Sequence, residues 1–227
     1  MSLGAPSDGD DSQALYEQRK LPAIAARWDA KAATWDQELA KPACHLNADE
    51  GYSRFLRQTS KLLAERQDFC ACQGVIDAGC GTGLVLAAVL PSFAWGVGVD
   101  ISKEMIRAAE SKRLHSARFL VGDCFHLASL CPRAGAVLSR GVLLSHYGHR
   151  QGEALLAAAC EALARGGFLL FDFLNAEARR LFPHAPGNKT YFQAQEICGM
   201  ARQAGFGRAV VLGEPERRVR LLLAEVI

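Results

Sequence analysis

Three carboxylates, each closing a short apolar run, accompany a loop with glycine at every second position. The runs are Val75-Ile76-Asp77, Gly96-Val97-Gly98-Val99-Asp100 and Ala117-Arg118-Phe119-Leu120-Val121-Gly122-Asp123; the loop is Gly79-Cys80-Gly81-Thr82-Gly83. Glycines let the backbone approach a ligand closely and take positive φ. The spacing is G-x-G-x-G, with Leu84 where a dinucleotide fingerprint would carry its third glycine. Asp77 would repel a phosphate but attract a cationic amino group, directly or through water. Asp100 falls 23 residues after Asp77, where an acid at the tip of the second strand of a βαβ unit meets a ribose diol. Together the three acids suit a cationic nucleoside ligand.

These residues need a framework that brings strand ends together. The run into Asp77, the glycine turn and the pattern Leu84-Val85-Leu86-Ala87-Ala88-Val89-Leu90 predict a buried strand, a tight turn and a helix. The helix would turn its first N–H groups and its positive dipole end towards whatever lies above the turn. Strand and helix then alternate: a helix over 101–112 capped by Ser102 with Met105 and Ile106 inward, a fourth strand at 135–138, a helix over 153–164, a fifth strand at 168–173 and a helix over 193–204. The runs 208–212 and 220–226 predict a closing antiparallel hairpin. This alternation implies an α/β fold with a doubly wound sheet, ligand lying at the carboxyl ends of its strands.

Residues 1–12, small, polar and acidic, predict a disordered start. From Gln13 to Phe69 spaced apolar residues predict a helical cap, with a break at Lys41-Pro42 and a second helix through Tyr52, Phe55, Leu56, Leu62 and Leu63. Residues 70–227 form the core.

The 227 residues, 50% hydrophobic and 22% charged, describe a soluble domain with an appendage. Lys+Arg 26 against Asp+Glu 24 gives no global field to draw in nucleic acid or an anionic membrane. No secretory leader or spanning stretch is evident, which places the expectation in the cytoplasm. The eight cysteines show no repeated C-x-x-C pair, so reduced thiols are expected and no metal site.

The loop and its acids resemble the core of a class I S-adenosylmethionine-dependent methyltransferase. Asp77-Ala78-Gly79-Cys80-Gly81-Thr82-Gly83 is similar to that family's first motif, and Val99-Asp100-Ile101-Ser102 with Met105 to its second. Asp123-Cys124-Phe125 is similar to the segment that reads adenine, the acid accepting from the exocyclic amine. Ser139-Arg140-Gly141-Val142 and Leu163-Ala164-Arg165-Gly166-Gly167-Phe168 are weaker matches at the fourth and fifth strands. The resemblance implies S-adenosylmethionine as cofactor, S-adenosylhomocysteine as product, and a Rossmann-like seven-stranded sheet, mostly parallel with an antiparallel C-terminal hairpin. It further implies that Asp77, Gly79, Cys80, Gly81, Gly83, Asp100, Ile101, Met105, Asp123, Cys124, Phe125, Ser139 and Arg140 bind the cofactor.

Within the cap, the segment from Trp28 to Asp36 resembles the aromatic-x6-aromatic-Asp start of many small-molecule members. It implies that Trp35 closes over the methionine end of the cofactor, a sulfonium over a ring gaining ~1 kcal/mol; equally, Trp28 and Trp35 are core anchors seven apart on one helix face. Methyl transfer needs a base only where the acceptor has a proton to lose. Among His146, Tyr147 and His149, His146 is the first candidate, and a structural place for it in that loop is the alternative.

The fourth strand ends Ser139-Arg140-Gly141-Val142, not Asn/Asp-Pro-Pro-Tyr/Phe, which disfavours the amino-methylating branch. No trio of carboxylates joins His146, which disfavours the magnesium-dependent catechol type. Arg179-Arg180, His184 and Lys189 are either a substrate carboxylate site or a solvated basic turn. The expected function is methyl transfer to a small-molecule acceptor, by a monomer or homodimer. A non-catalytic S-adenosylmethionine-binding or partner-binding protein and a methyltransferase of macromolecules are the alternatives.

Overall fold

The strand that carries Asp77 lies between two parallel neighbours at the point where strand order reverses. The computed structural model describes residues 20–40, 51–141, 143–182 and 189–227. Its seven strands are β1 (Gly74–Ala78), β2 (Trp95–Asp100), β3 (Ala117–Val121), β4 (Ala134–Ser139), β5 (Leu163–Leu174), β6 (Arg208–Leu212) and β7 (Val219–Glu225). They form one sheet in the order β3-β2-β1-β4-β5-β7-β6. β3, β2, β1, β4 and β5 pair in parallel, and β7 runs antiparallel between β5 and β6. The crevice between β1 and β4 is where an open sheet of this kind takes a ligand.

Strands covered on both faces read as unbroken apolar runs. Consecutive residues of β1 enter opposite layers, as the strand period requires. Ile76 joins Val97, Leu144, Leu155 and Phe171 in one buried cluster. Val75 joins Phe55, Leu86, Leu138 and Phe168 in the other. The helices covering these layers are α1 (Leu21–Asp29), α2 (Trp35–Ala40), α3 (Gly51–Glu65), α4 (Gln67–Ala71), α5 (Leu84–Val89), α6 (Lys103–Ser111), α7 (Leu127–Leu130), α8 (His149–Glu161) and α9 (Ala194–Gln203).

Local signals account for the boundaries. The Ser102 hydroxyl accepts from Met105 N and starts α6, with Met105 and Ile106 buried, as expected. Gln193 and Glu196 close a reciprocal capping box at the start of α9. Two expectations shift. The helix expected over 153–164 runs from His149 to Glu161, and the fifth strand begins at Leu163 rather than Phe168. Gly166, at φ +77°, lets that strand start early, with a register irregularity between Ala134 and Ala136 on β4.

The cap departs further from expectation. Trp28 and Trp35 do not share one helix: α1 ends at Asp29, and the chain winds tighter through Lys31 N to Trp28 O, Ala32 N to Asp29 O and Thr34 N to Lys31 O before α2 begins. The rings meet edge to face at 5.2 Å. The expected disordered start over 1–12, the cap's beginning at Gln13, the break at Lys41-Pro42, Val142 and His184 lie outside the described residues.

Candidate functional site

The glycine loop is built by left-handed backbone. Gly79, Gly81 and Gly83 stand at φ +71°, +52° and +78°, values that cost a side chain strain. Gly79 N and Cys80 N both donate to Val99 O, at 2.8 and 3.0 Å, which ties the loop to the end of β2. At Gly83 a Cβ would meet the Phe119 ring at 2.9 Å, so this glycine serves close packing of the loop on β3 and α6. At Gly81 the space above the backbone leads to Trp35 Nε1 at 3.7 Å and Met105 Sδ at 4.0 Å.

Asp100 organises what faces that space. One carboxylate oxygen accepts from Gly81 N at 2.8 Å and the other from Ser102 N at 2.9 Å. Burial pushes its pKa up, against the pull of those two N–H groups. Each oxygen keeps a lone pair, a geometry that suits two neighbouring hydroxyls. Ile101 is half-buried beside it, and Met105 is buried behind it. Asp123 accepts from Phe125 N at 3.1 Å, which folds the turn Cys124–His126; Cys124 is buried and Phe125 packs on Tyr147 at 5.0 Å.

Other expected residues are turned elsewhere. Asp77 is 1% exposed and accepts from Leu86 N at 3.2 Å; burial, with Asp100 nearby, pushes its pKa up to about 7. Ser139 donates to Ala78 O at 2.7 Å, so its hydroxyl ties β4 to β1. The Arg140 guanidinium lies 4.8 Å from the Tyr52 ring centroid on α3. Cys80 is buried against Gly98, where a Cβ would meet its sulfur at 2.9 Å.

Sequence reasoning missed how the cap is fastened. Asp29 Oδ1 accepts from the Ser102 hydroxyl at 2.6 Å and from Glu104 N at 3.1 Å, adding a carboxylate to the first turn of α6; these bonds hold its pKa down. Asp36 accepts from the Thr82 hydroxyl inside the glycine loop and pairs with Lys112 Nζ at 2.7 Å; Lys112 also donates to Thr82 O at 2.8 Å. The signal was present as a repeated Trp-Asp dipeptide at 28–29 and 35–36. In both, the tryptophan faces the site and the acid fastens the segment.

The surroundings of His146 required the folded chain. Lys189, 43 residues away, brings its Nζ to 2.6 Å from His146 Nδ1. Its segment is held by Thr190 N donating to Ser145 O at 2.9 Å. Burial and the charges of Lys189 and Arg27 push His146 down to about 4, a hydrogen bond to the Gly141 backbone opposing. Gly141 N in turn donates to Asp172 at 3.0 Å. These surroundings weigh against the base role expected at His146. An imidazole this acidic has little driving force to take a proton near neutrality, and its Nδ1 is engaged.

Among the described residues no group of three His, Cys, Asp or Glu side chains could hold a metal ion, and no helix is long and apolar enough to cross a membrane. The donor set fits a cationic nucleoside: two acceptor-rich acids at adjacent strand ends, glycines that leave the backbone open, and an indole over Gly81.

A family described as a methyltransferase domain matches residues 75–167, from β1 to the glycines of β5. A ubiquinone biosynthesis O-methyltransferase of Idiomarina loihiensis is 25% identical over 164 residues, covering 72% of this chain and 62% of its own length. The chain thus spans less than two thirds of that relative. A protein of the same name from Bordetella bronchiseptica is 26% identical over 208 residues, covering 83% and 79%. Among solved structures, the magnesium protoporphyrin IX methyltransferase of Synechocystis PCC 6803 with bound S-adenosylhomocysteine superposes with a TM-score of 0.70 at 17% identity, covering 91% of this chain and 99% of its own. The matched domain, the strand order and the glycine loop with its acids agree in what they resemble: the chain is similar to the class I S-adenosylmethionine-dependent methyltransferases.

Proposed function

We propose that the protein transfers the methyl group of S-adenosylmethionine to a small-molecule acceptor by in-line displacement, with residues 13–69 as a cap and 70–227 as the cofactor-binding core. The observation that carries this is the Asp100 carboxylate bridging Gly81 N and Ser102 N, with Trp35 over that same Gly81. When bound, the cofactor supplies a methyl carbon already activated by a sulfonium. Asp100 would accept from the ribose hydroxyls, and Asp123, Cys124 and Phe125 would line the adenine. Trp35 would offer its ring to the sulfonium. Asp77, buried behind the loop, would act on the cofactor's amino group through its field or through water.

The cap then has two tasks. Its tryptophans exclude water from the reacting carbon, and its latches to Thr82, Ser102 and Lys112 couple closure to the cofactor loop. Relatives named as ubiquinone biosynthesis O-methyltransferases support an oxygen nucleophile on a small molecule. Calorimetry tests the reading: micromolar binding of S-adenosylmethionine and S-adenosylhomocysteine, ~8 kcal/mol, with none of NAD, is the expected outcome. Binding of neither nucleoside would overturn it.

A further inference from the structure

We propose that the methyl acceptor is a small acid whose anionic group is held where Arg27, Lys31 and Lys189 converge beside His146. This rests on the methyltransferase reading of the same site. Lys189 Nζ lies 2.6 Å from His146 Nδ1, and the imidazole lies 6.3 Å from the Trp28 ring. Lys31 Nζ stands 5.2 Å from that ring and 5.8 Å from Trp35, and the Arg27 guanidinium is 5.9 Å from Trp28. Two cations of the cap therefore lie over Trp28, and a third, from a separate segment, reaches the imidazole beside that ring, next to the indole that covers Gly81.

The charges in this cluster are not balanced. Among the described residues, Arg27, Lys31 and Lys189 make no ion pair. The acids of the same cap segment are committed elsewhere, Asp29 to Ser102 and Glu104, and Asp36 to Thr82 and Lys112. Burial first, then the charges of Arg27 and Lys31, push the pKa of Lys189 down to about 8. An anion placed among the three would relieve that repulsion, and a partly buried position strengthens the attraction over that of a solvated lysine. His146, neutral near pH 7, accepts from Lys189 and fixes its ammonium, while Trp28 and Trp35 supply apolar walls for the organic part of the acid. The recognised chemistry is an anionic oxygen group, a carboxylate or a phosphate.

Titration of the full chain, saturated with S-adenosylhomocysteine, with benzoate, inorganic phosphate and the neutral isostere benzamide tests this through the fluorescence of Trp28 and Trp35. A saturable response to benzoate, phosphate or both, with none to benzamide, is expected; benzoate alone identifies a carboxylate site and phosphate alone a phosphate site. Lys189→Gln and Lys31→Gln should each weaken the anion about tenfold. Arg27→Gln, at an exposed side chain, repeats the test while keeping the Lys189–His146 contact, and a loss of a few-fold is expected. Equal responses to benzoate and benzamide, or unchanged anion affinity in all three variants, overturn the proposal. Binding of S-adenosylhomocysteine with no anion response overturns the acid site and leaves methyl transfer standing. An anion response from a chain that binds neither S-adenosylhomocysteine nor S-adenosylmethionine overturns the acceptor role together with the methyltransferase reading.

Discussion

The Asp36 carboxylate of the cap and the Lys112 ammonium at the end of α6 stand 2.7 Å apart, and both are bonded to Thr82 of the glycine loop. The cap is thereby fastened to the backbone that would hold the cofactor. Partly exposed pairs of this kind contribute ~0–1 kcal/mol, enough to bias closure without locking it. In Asp36→Ala, amides over residues 21–40 should exchange with solvent up to about fivefold faster, while those of β1 and β4 keep their rates. Unchanged exchange over 21–40 would show that the tryptophans, not this latch, hold the cap.

Trp35 is expected to discriminate charge. Over Gly81 its ring would face a sulfonium in S-adenosylmethionine and a neutral thioether in S-adenosylhomocysteine. Trp35→Leu should weaken the first by about fivefold, from a cation–π contribution of ~1 kcal/mol, and the second by much less. Equal losses in calorimetry would assign the indole to packing alone.

Asp100 carries both loop geometry and ligand acceptors. Asp100→Asn keeps its size but turns an amide NH2 towards either Gly81 N or Ser102 N, a donor facing a donor. Cofactor affinity should fall tenfold or more, since hydrogen bonds to charged groups contribute ~1.5–3 kcal/mol. Affinity within error of the parent would mean that the second strand does not present the ribose site.

Asp77 should make stability fall as pH rises. Its pKa is about 7 in the folded chain against 3.8 for an ordinary aspartate. The folded state therefore binds a proton that the unfolded chain has lost, and the associated stability, full below about pH 4, disappears as pH passes 7. Asp77→Asn removes this dependence. Its melting temperature should exceed the parent's at pH 8 by a few degrees, at ~2–4 °C per kcal/mol for a chain of this size, with the gain shrinking towards pH 4. A gain independent of pH would place the effect in packing.

Lys189 sets a second pH dependence, on the acceptor side. With its pKa pushed down to about 8, the ammonium is present below that value and lost above it. Benzoate affinity should accordingly be level from pH 6 to 7 and decline between pH 8 and 9.5, and the decline should vanish in Lys189→Gln. A parent profile flat to pH 9.5 would remove Lys189 from the anion's partners.

Much of this protein is written in short stretches of sequence. The alternation of apolar runs, the glycines at 79, 81 and 83, the Ser102 cap and the acids closing β2 and β3 rest on backbone conformation and spacing within a few residues, and these gave the strand order's ingredients and the cofactor loop. Side-chain direction at the strand ends was not legible. Ser139 and Arg140 sit at the expected position, yet register between β4 and β1 turns the Ser139 hydroxyl to Ala78 O, and the arginine reaches Tyr52. Tightening of the chain after Asp29 placed Trp28 and Trp35 edge to face on separate helices. Only packing of the segment after β5 against the Leu143–His146 turn brought Lys189 to His146 and lowered the proton affinity of the imidazole. Local pattern determines which elements form, because it acts within a turn of helix or a pair of strands; proton affinity and charge pairing depend on burial and on distant side chains, which only the folded chain brings within a few ångströms.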